Sequence, residues 1–101
     1  IAAPSAALAQ LAGECLVDQR PALPDGGTAT IDEMLAAQVE VREFLARSQE
    51  SIDCLDDASK DRDLTDDQRS LLIRAHNDTV DVMEEIATSF NTQIGIFRQR
   101  E

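Results

Sequence analysis

Two apolar stripes, one from Ile31 to Leu55 and one from Leu72 to Phe97, mirror each other about the polar run Asp61 to Asp67. Each advances by alternating steps of three and four residues, the spacing that keeps one side of an α-helix facing a partner helix. Folded at the polar run, the stripes meet in a nearly constant register. Leu55 falls opposite Leu72, Ile52 opposite His76, Ser48 opposite Thr79, Leu45 opposite Met83, Val41 opposite Ile86, Gln38 opposite Phe90, Met34 opposite Ile94 and Ile31 opposite Phe97. The pattern predicts an all-α chain whose body, residues 31–101, is one long antiparallel two-helix hairpin.

Both helix starts carry a local signal. In Thr30-Ile31-Asp32-Glu33 the Thr hydroxyl accepts an orphan amide of the first turn while Glu33 reaches back to the cap, so helix 1 is expected to begin at Ile31. Leu64-Thr65-Asp66-Asp67-Gln68 repeats the device with Gln, which starts helix 2 at Asp66, its acids complementing the positive helix end. Neither helix contains Pro, and they are expected to stop near Lys60 and Arg98.

A hairpin this elongated buries little surface for a chain of 101 residues, and with three Phe and no Trp or Tyr its core must be aliphatic. A covalent tie would matter, and two cysteines are present. Cys15 precedes the hairpin, while Cys54 lies on helix 1 off the stripe of Leu45, Ile52 and Leu55, placed to meet something outside the seam. An even count in an exported chain favours a Cys15–Cys54 disulfide, within one chain or between two. If it forms within one chain, residues 16–30 of the N-terminal strap, residues 10–30, must return along the length of helix 1 in a mostly extended form. Pro21 and Pro24 favour that conformation, and Asp25-Gly26-Gly27 supplies a turn before the helix.

Residues 1–9 carry no charge and end in Ala7-Leu8-Ala9 before Gln10. They read either as the remnant of a secretory signal peptide with its A-x-A cleavage pattern or as a short Ala-rich helix. On the first reading the mature protein begins near Gln10 and is periplasmic or secreted. The lack of an initiator Met suggests numbering that starts inside a longer precursor. A net charge of -11 and a pI near 4.3 repel phosphate backbones and anionic headgroups, so nucleic acid is not an expected partner. No apolar run approaches the roughly 18 residues of a membrane span, so direct insertion of the mature chain is not expected.

Leu64-Thr65-Asp66-Asp67-Gln68 resembles the LTxxQ motif of the Spy and CpxP family. Its members are small helical periplasmic proteins that act as ATP-independent chaperones or stress-pathway regulators. The match covers five residues. Family members usually carry a second copy of the motif and a more basic concave surface, whereas this chain has one copy and is acidic. A second likeness covers Leu23 to Thr30, Glu33-Met34, Ala36-Ala37-Gln38 and Cys54-Leu55. These segments resemble uncharacterised small exported helical-hairpin proteins of Gram-negative bacteria, which implies location and shape and no known activity.

Chemistry has little support in the residues. His76 is the only histidine and falls on the expected seam, where a bond to a neighbouring hydroxyl explains it better than a role as base or ligand. No nucleophile elbow and no phosphate loop is present; Gly26-Gly27 lacks the accompanying Lys and preceding strand. The acids Asp53, Asp56, Asp57, Asp61, Asp63, Asp66 and Asp67 are rich in oxygen, but the EF-hand pattern fails at Asp66, where Gly belongs, and at Leu72, where Glu belongs. A solvated acidic tip with an Asp56–Lys60 pair is the better reading. Asn77-Asp78-Thr79, inside a helix, matches the glycosylation pattern by chance. No catalytic residue, cofactor or metal is therefore expected, and the protein is read as non-enzymatic.

The stripes are also wider than one partner helix covers. Leu35 and Val39 flank the seam on helix 1, and Ile73, Val80, Ala87 and Ile94 form a parallel row on helix 2. Such width expects a third layer, which the strap, a second hairpin in a four-helix bundle, or another protein would supply. These six residues are the expected interaction face of an exported interaction or accessory subunit, with a protein partner or homodimer. A Spy-like chaperone or stress sensor is the alternative.

Overall fold

A computed structural model describes Cys15, Leu16 and residues 19–100. Two helices dominate, α1 (Ile31–Ala58) and α2 (Asp66–Gln99), packed against each other as an antiparallel hairpin. The molecule measures 57 × 27 × 16 Å, and among the described residues there is no strand. The expectations for residues 1–9, including cleavage near Gln10, lie outside the described residues.

Both starts follow from the capping boxes. Thr30 accepts from the Glu33 amide at 3.1 Å while the Glu33 carboxylate accepts from the Thr30 amide at 2.9 Å; Thr65 and Gln68 make the same reciprocal pair at the same distances. The stops differ slightly from expectation. Helix α1 ends two residues before Lys60 and α2 one residue after Arg98.

The tip between them is organised by its own polar groups. Ser59 donates to the Asp56 carbonyl, the Asp63 amide donates to the Asp61 side chain at 2.9 Å, and the Arg69 guanidinium reaches the Ser59 carbonyl at 2.9 Å. Asp61 thus builds a turn, the ordinary use of an Asp that accepts from an amide two residues on. Lys60 pairs with Asp57, not with Asp56 as its spacing suggested, at 3.4 Å and with both groups largely in solvent.

The core falls into two clusters. Near the tip, Leu55, Leu72 and Ala75 enclose Cys15, with Leu64 and Ala58 at the margin. Toward the open end, Val41, Phe44, Ile86 and Phe90 pack with Met34, Ala37 and Ala29. Between them on α1 lie the buried hydroxyls of Ser48 and Ser51. No buried side-chain nitrogen or oxygen among the described residues lacks a partner.

The seam is rotated from the expected one. Met34, Val41, Ser48, Ile52 and Leu55 are buried as expected, but so are Ala37, Phe44 and Ser51, while Gln38 and Ile31 are exposed and Leu45 is half-buried. At about 100° per residue, Ala37, Phe44 and Ser51 stand on one flank of the Met34–Leu55 line and Ile31, Gln38 and Leu45 on the other. The N-terminal strap decides between the flanks. Cys15 is bonded to Cys54 with their Cα atoms 5.2 Å apart, and the Ser51 hydroxyl donates to the Cys15 carbonyl. Residues 19–25 then run without helix past Glu40, Glu43 and Arg47 of α1, with Arg20 beside Glu85 of α2 at 3.4 Å and Leu23 against the open-end core. A third layer over that flank draws the buried arc toward Phe44.

At the open end the strap is fastened to α2. Asp25 organises the turn, accepting at its side chain from Gly27 and at its carbonyl from Thr28 and Ala29. The Gly26 amide donates to the Gln93 side chain at 2.8 Å, and Arg100 donates to the carbonyls of Gly26 and Ala29 at 2.9 and 2.7 Å. Gly26 is required here by close approach: a Cβ would strike the Gln93 carbonyl group, standing 2.9 Å from its carbon.

Candidate interaction face

With the strap on one side of the hairpin, the opposite side is uncovered by any described segment. Helical periodicity assigns to it Ile31, Leu35, Gln38 and the exposed Arg42 on α1, and Ile73, His76, Val80, Ala87, Ile94 and Arg98 on α2. Large apolar side chains lie open there, with Ile31 58%, Leu35 54% and Ile73 53% exposed. Single exposed apolar residues are ordinary on a protein surface; here they stand at the two ends of the face, with half-buried Val80, Ala87 and Ile94 between them on α2.

Two grooves between the helices shape this face. The one at the open end, about 260 Å³, runs between Ile31 and Leu35 on α1 and Ile94 and Phe97 on α2, has Met34 and Phe90 at its floor, and carries one charged group, Arg98. The one at the tip, about 200 Å³, lies between Leu55, Asp56 and Ser59 on one side and Leu72, Ile73 and His76 on the other. Val80 and Ala87, both half-buried, lie on α2 between them.

Four of the six residues expected on the face therefore form a row along α2 from Ile73 to Ile94, and Leu35 joins that row at the open-end groove. Val39, 51% exposed, stands apart: four residues beyond Leu35 it has turned farther from the seam and borders neither groove. Ile31, like Gln38, is placed differently by spacing alone: the stripe sets it in the seam opposite Phe97, yet it forms the rim of the open-end groove. The rotation imposed by the strap moved it, and no local signal in the sequence marks that rotation.

The electrostatics around the face are plain. His76 is not bonded to a hydroxyl; its Nε2 lies 3.7 Å from Asp56 and its Nδ1 3.4 Å from Asn77. The Thr79 hydroxyl nearby donates to the Ala75 carbonyl of its own helix. The Glu33 carboxyl is held below the ordinary 4.5 by the hydrogen bond from the Thr30 amide and then by the Thr30 side chain. It serves the helix cap. Among the described residues, no group of three or more His, Cys, Asp or Glu is placed to hold a metal ion, and no helix is long and apolar enough to cross a membrane. No family model, curated protein or solved structure matches the chain.

Proposed function

We propose that this protein is an exported, non-enzymatic interaction or accessory subunit that binds another protein through the side of the hairpin facing away from the strap. The observation that carries the reading is the apolar row with a groove at each end, exposed at Ile31, Leu35 and Ile73, on the flank of the hairpin that the strap does not cover. The Cys15–Cys54 bond supports an oxidising compartment such as the periplasm or the cell exterior. The acidic surface supports a protein partner over nucleic acid.

Crosslinking in the native envelope fraction tests the reading, with wild type and Val80→Glu as baits. A stoichiometric protein adduct that the charge abolishes is the expected result, because the substitution puts an unpaired carboxylate on a surface meant to be dry. An adduct pattern indifferent to Val80→Glu overturns it. The LTxxQ likeness favours a second reading, an ATP-independent chaperone of the Spy and CpxP kind, for which the same apolar face would hold unfolded clients. Suppression of client aggregation at near-stoichiometric ratios, lost in Val80→Glu, distinguishes it from a dedicated subunit.

A further inference from the structure

Resting on that reading of the face, we infer that its occupant is a second copy of this chain, laid antiparallel on the first so that the tip of each hairpin covers the open end of the other. Charge selects the occupant and its orientation. The open-end groove carries a cation, Arg98, and the tip groove carries an anion, Asp56, with His76 beside it at 3.7 Å. The face is thus complementary to itself when reversed.

Ile73, Val80, Ala87 and Ile94 recur every seven residues over about 32 Å of helix. A two-fold axis across the middle of that row sets Ile73 of one copy over Ile94 of the other, at the open-end groove, and Val80 over the small Ala87. The same axis brings Asp56 of each copy toward Arg98 of its mate. A parallel pairing does the opposite. It stacks Asp56 on Asp56 and Arg98 on Arg98, and sets two tips rich in acid, with Asp57, Asp61, Asp63, Asp66 and Asp67, side by side. The antiparallel arrangement sends those tips to opposite ends of a molecule 57 Å long, far beyond a Debye length. The product is a four-helix bundle with the two straps on its outer surfaces, closed by an isologous interface.

Sedimentation of the full oxidised chain at micromolar concentration tests this, using wild type, Asp56→Arg, Arg98→Glu and the double exchange. Within one chain the two positions are about 40 Å apart along the hairpin, so any compensation between them must cross between copies. Wild type is expected to sediment as a dimer. Each single exchange should raise the dissociation constant about tenfold, since the pair occurs twice in a two-fold dimer, and the double exchange should restore it. Circular dichroism checks that all four keep the same helix content. A monomeric wild type overturns the second copy as occupant while leaving the envelope crosslinking result to stand or fall by itself. A dimer in which the double exchange is no better than the singles overturns the antiparallel arrangement.

Discussion

The two flanks of the hairpin are built from similar raw material and finished differently. On one, Phe44, Ala37 and Ser51 are sealed beneath a strap that is bonded at Cys54 near the tip and clasped by Gln93 and Arg100 at the open end. On the other, Ile31, Leu35 and Ile73 remain largely in water. The covered flank shows what a thin two-helix layer needs in order to be dry. The uncovered flank shows what is left when that cover is supplied once and not twice. Apolar surface of equal quality is thus buried as a stability element on one side and left exposed on the other, where the proposed function places an association surface.

Substitutions on the two flanks should separate most sharply at Phe44 and Leu35. Phe44→Ala is expected to cost about 3 to 5 kcal/mol, whereas Leu35→Ala should stay within about 0.5 kcal/mol in the isolated chain. Urea denaturation of both variants checks this, and comparable losses would erase the distinction between the flanks.

Removing the strap's covalent tie comes next. Cys15→Ser with Cys54→Ser opens a link between positions 39 apart in sequence, for which the chain-entropy relation gives about 4 kcal/mol. The loss should appear in the denaturation midpoint of the double variant against the oxidised wild type. If the strap is only an ornament on a self-sufficient hairpin, the midpoint will hardly move.

A smaller effect is expected at the other fastening. Gly26→Ala must push the turn off the Gln93 carbonyl, at about 1 to 3 kcal/mol. Hydrogen exchange should localise the loosening to the last turns of α2 and to the turn at residues 25–29. A uniform change along both helices would contradict a local clasp.

The smallest effect concerns the two helix starts. Glu33 binds its proton less readily in the folded cap than its ordinary 4.5, so its contribution is present above that pH and is lost as pH falls through the lower folded value. Gln68 fills the same place in α2 and does not titrate. Thermal melts from pH 6 to pH 3 should show a slightly gentler acid decline for Glu33→Gln than for wild type. Identical declines would mean that the α1 cap contributes nothing to acid stability.

How much of this was legible in the sequence depends on the range of each signal. Thr30, Glu33, Thr65 and Gln68 act over three residues, so both helix starts were readable to the residue. The mirrored stripes act over two or three turns and made the hairpin and the burial of Met34, Val41, Leu55, Leu72 and Ile86 readable. The burial of Phe44 and the exposure of Ile31 were not, because both depend on where the strap lies, and periodicity within a helix is blind to a third layer. The same holds for the candidate face. Its row along α2 could be read from spacing, but its open-end groove needed Ile31, and Val39, which flanks the seam with Leu35, borders neither groove. Contacts such as Gly26 with Gln93 and Arg100 join single positions about 70 apart and leave no repeating trace.

Those last contacts have a consequence for cooperativity. A plain pair of helices joined at a tip resembles a zipper, whose free ends fray turn by turn at little cost. Here the chain just before α1 is held by the final turn of α2, so the free ends of the zipper are clasped to each other. Opening the hairpin from that side requires releasing Arg100, Gln93 and the Asp25 turn together. Unfolding is thereby driven toward a single all-or-none step. The contacts that impose it are the most distant in sequence, so they carry the largest loop-closure cost and are the last to repay it during folding.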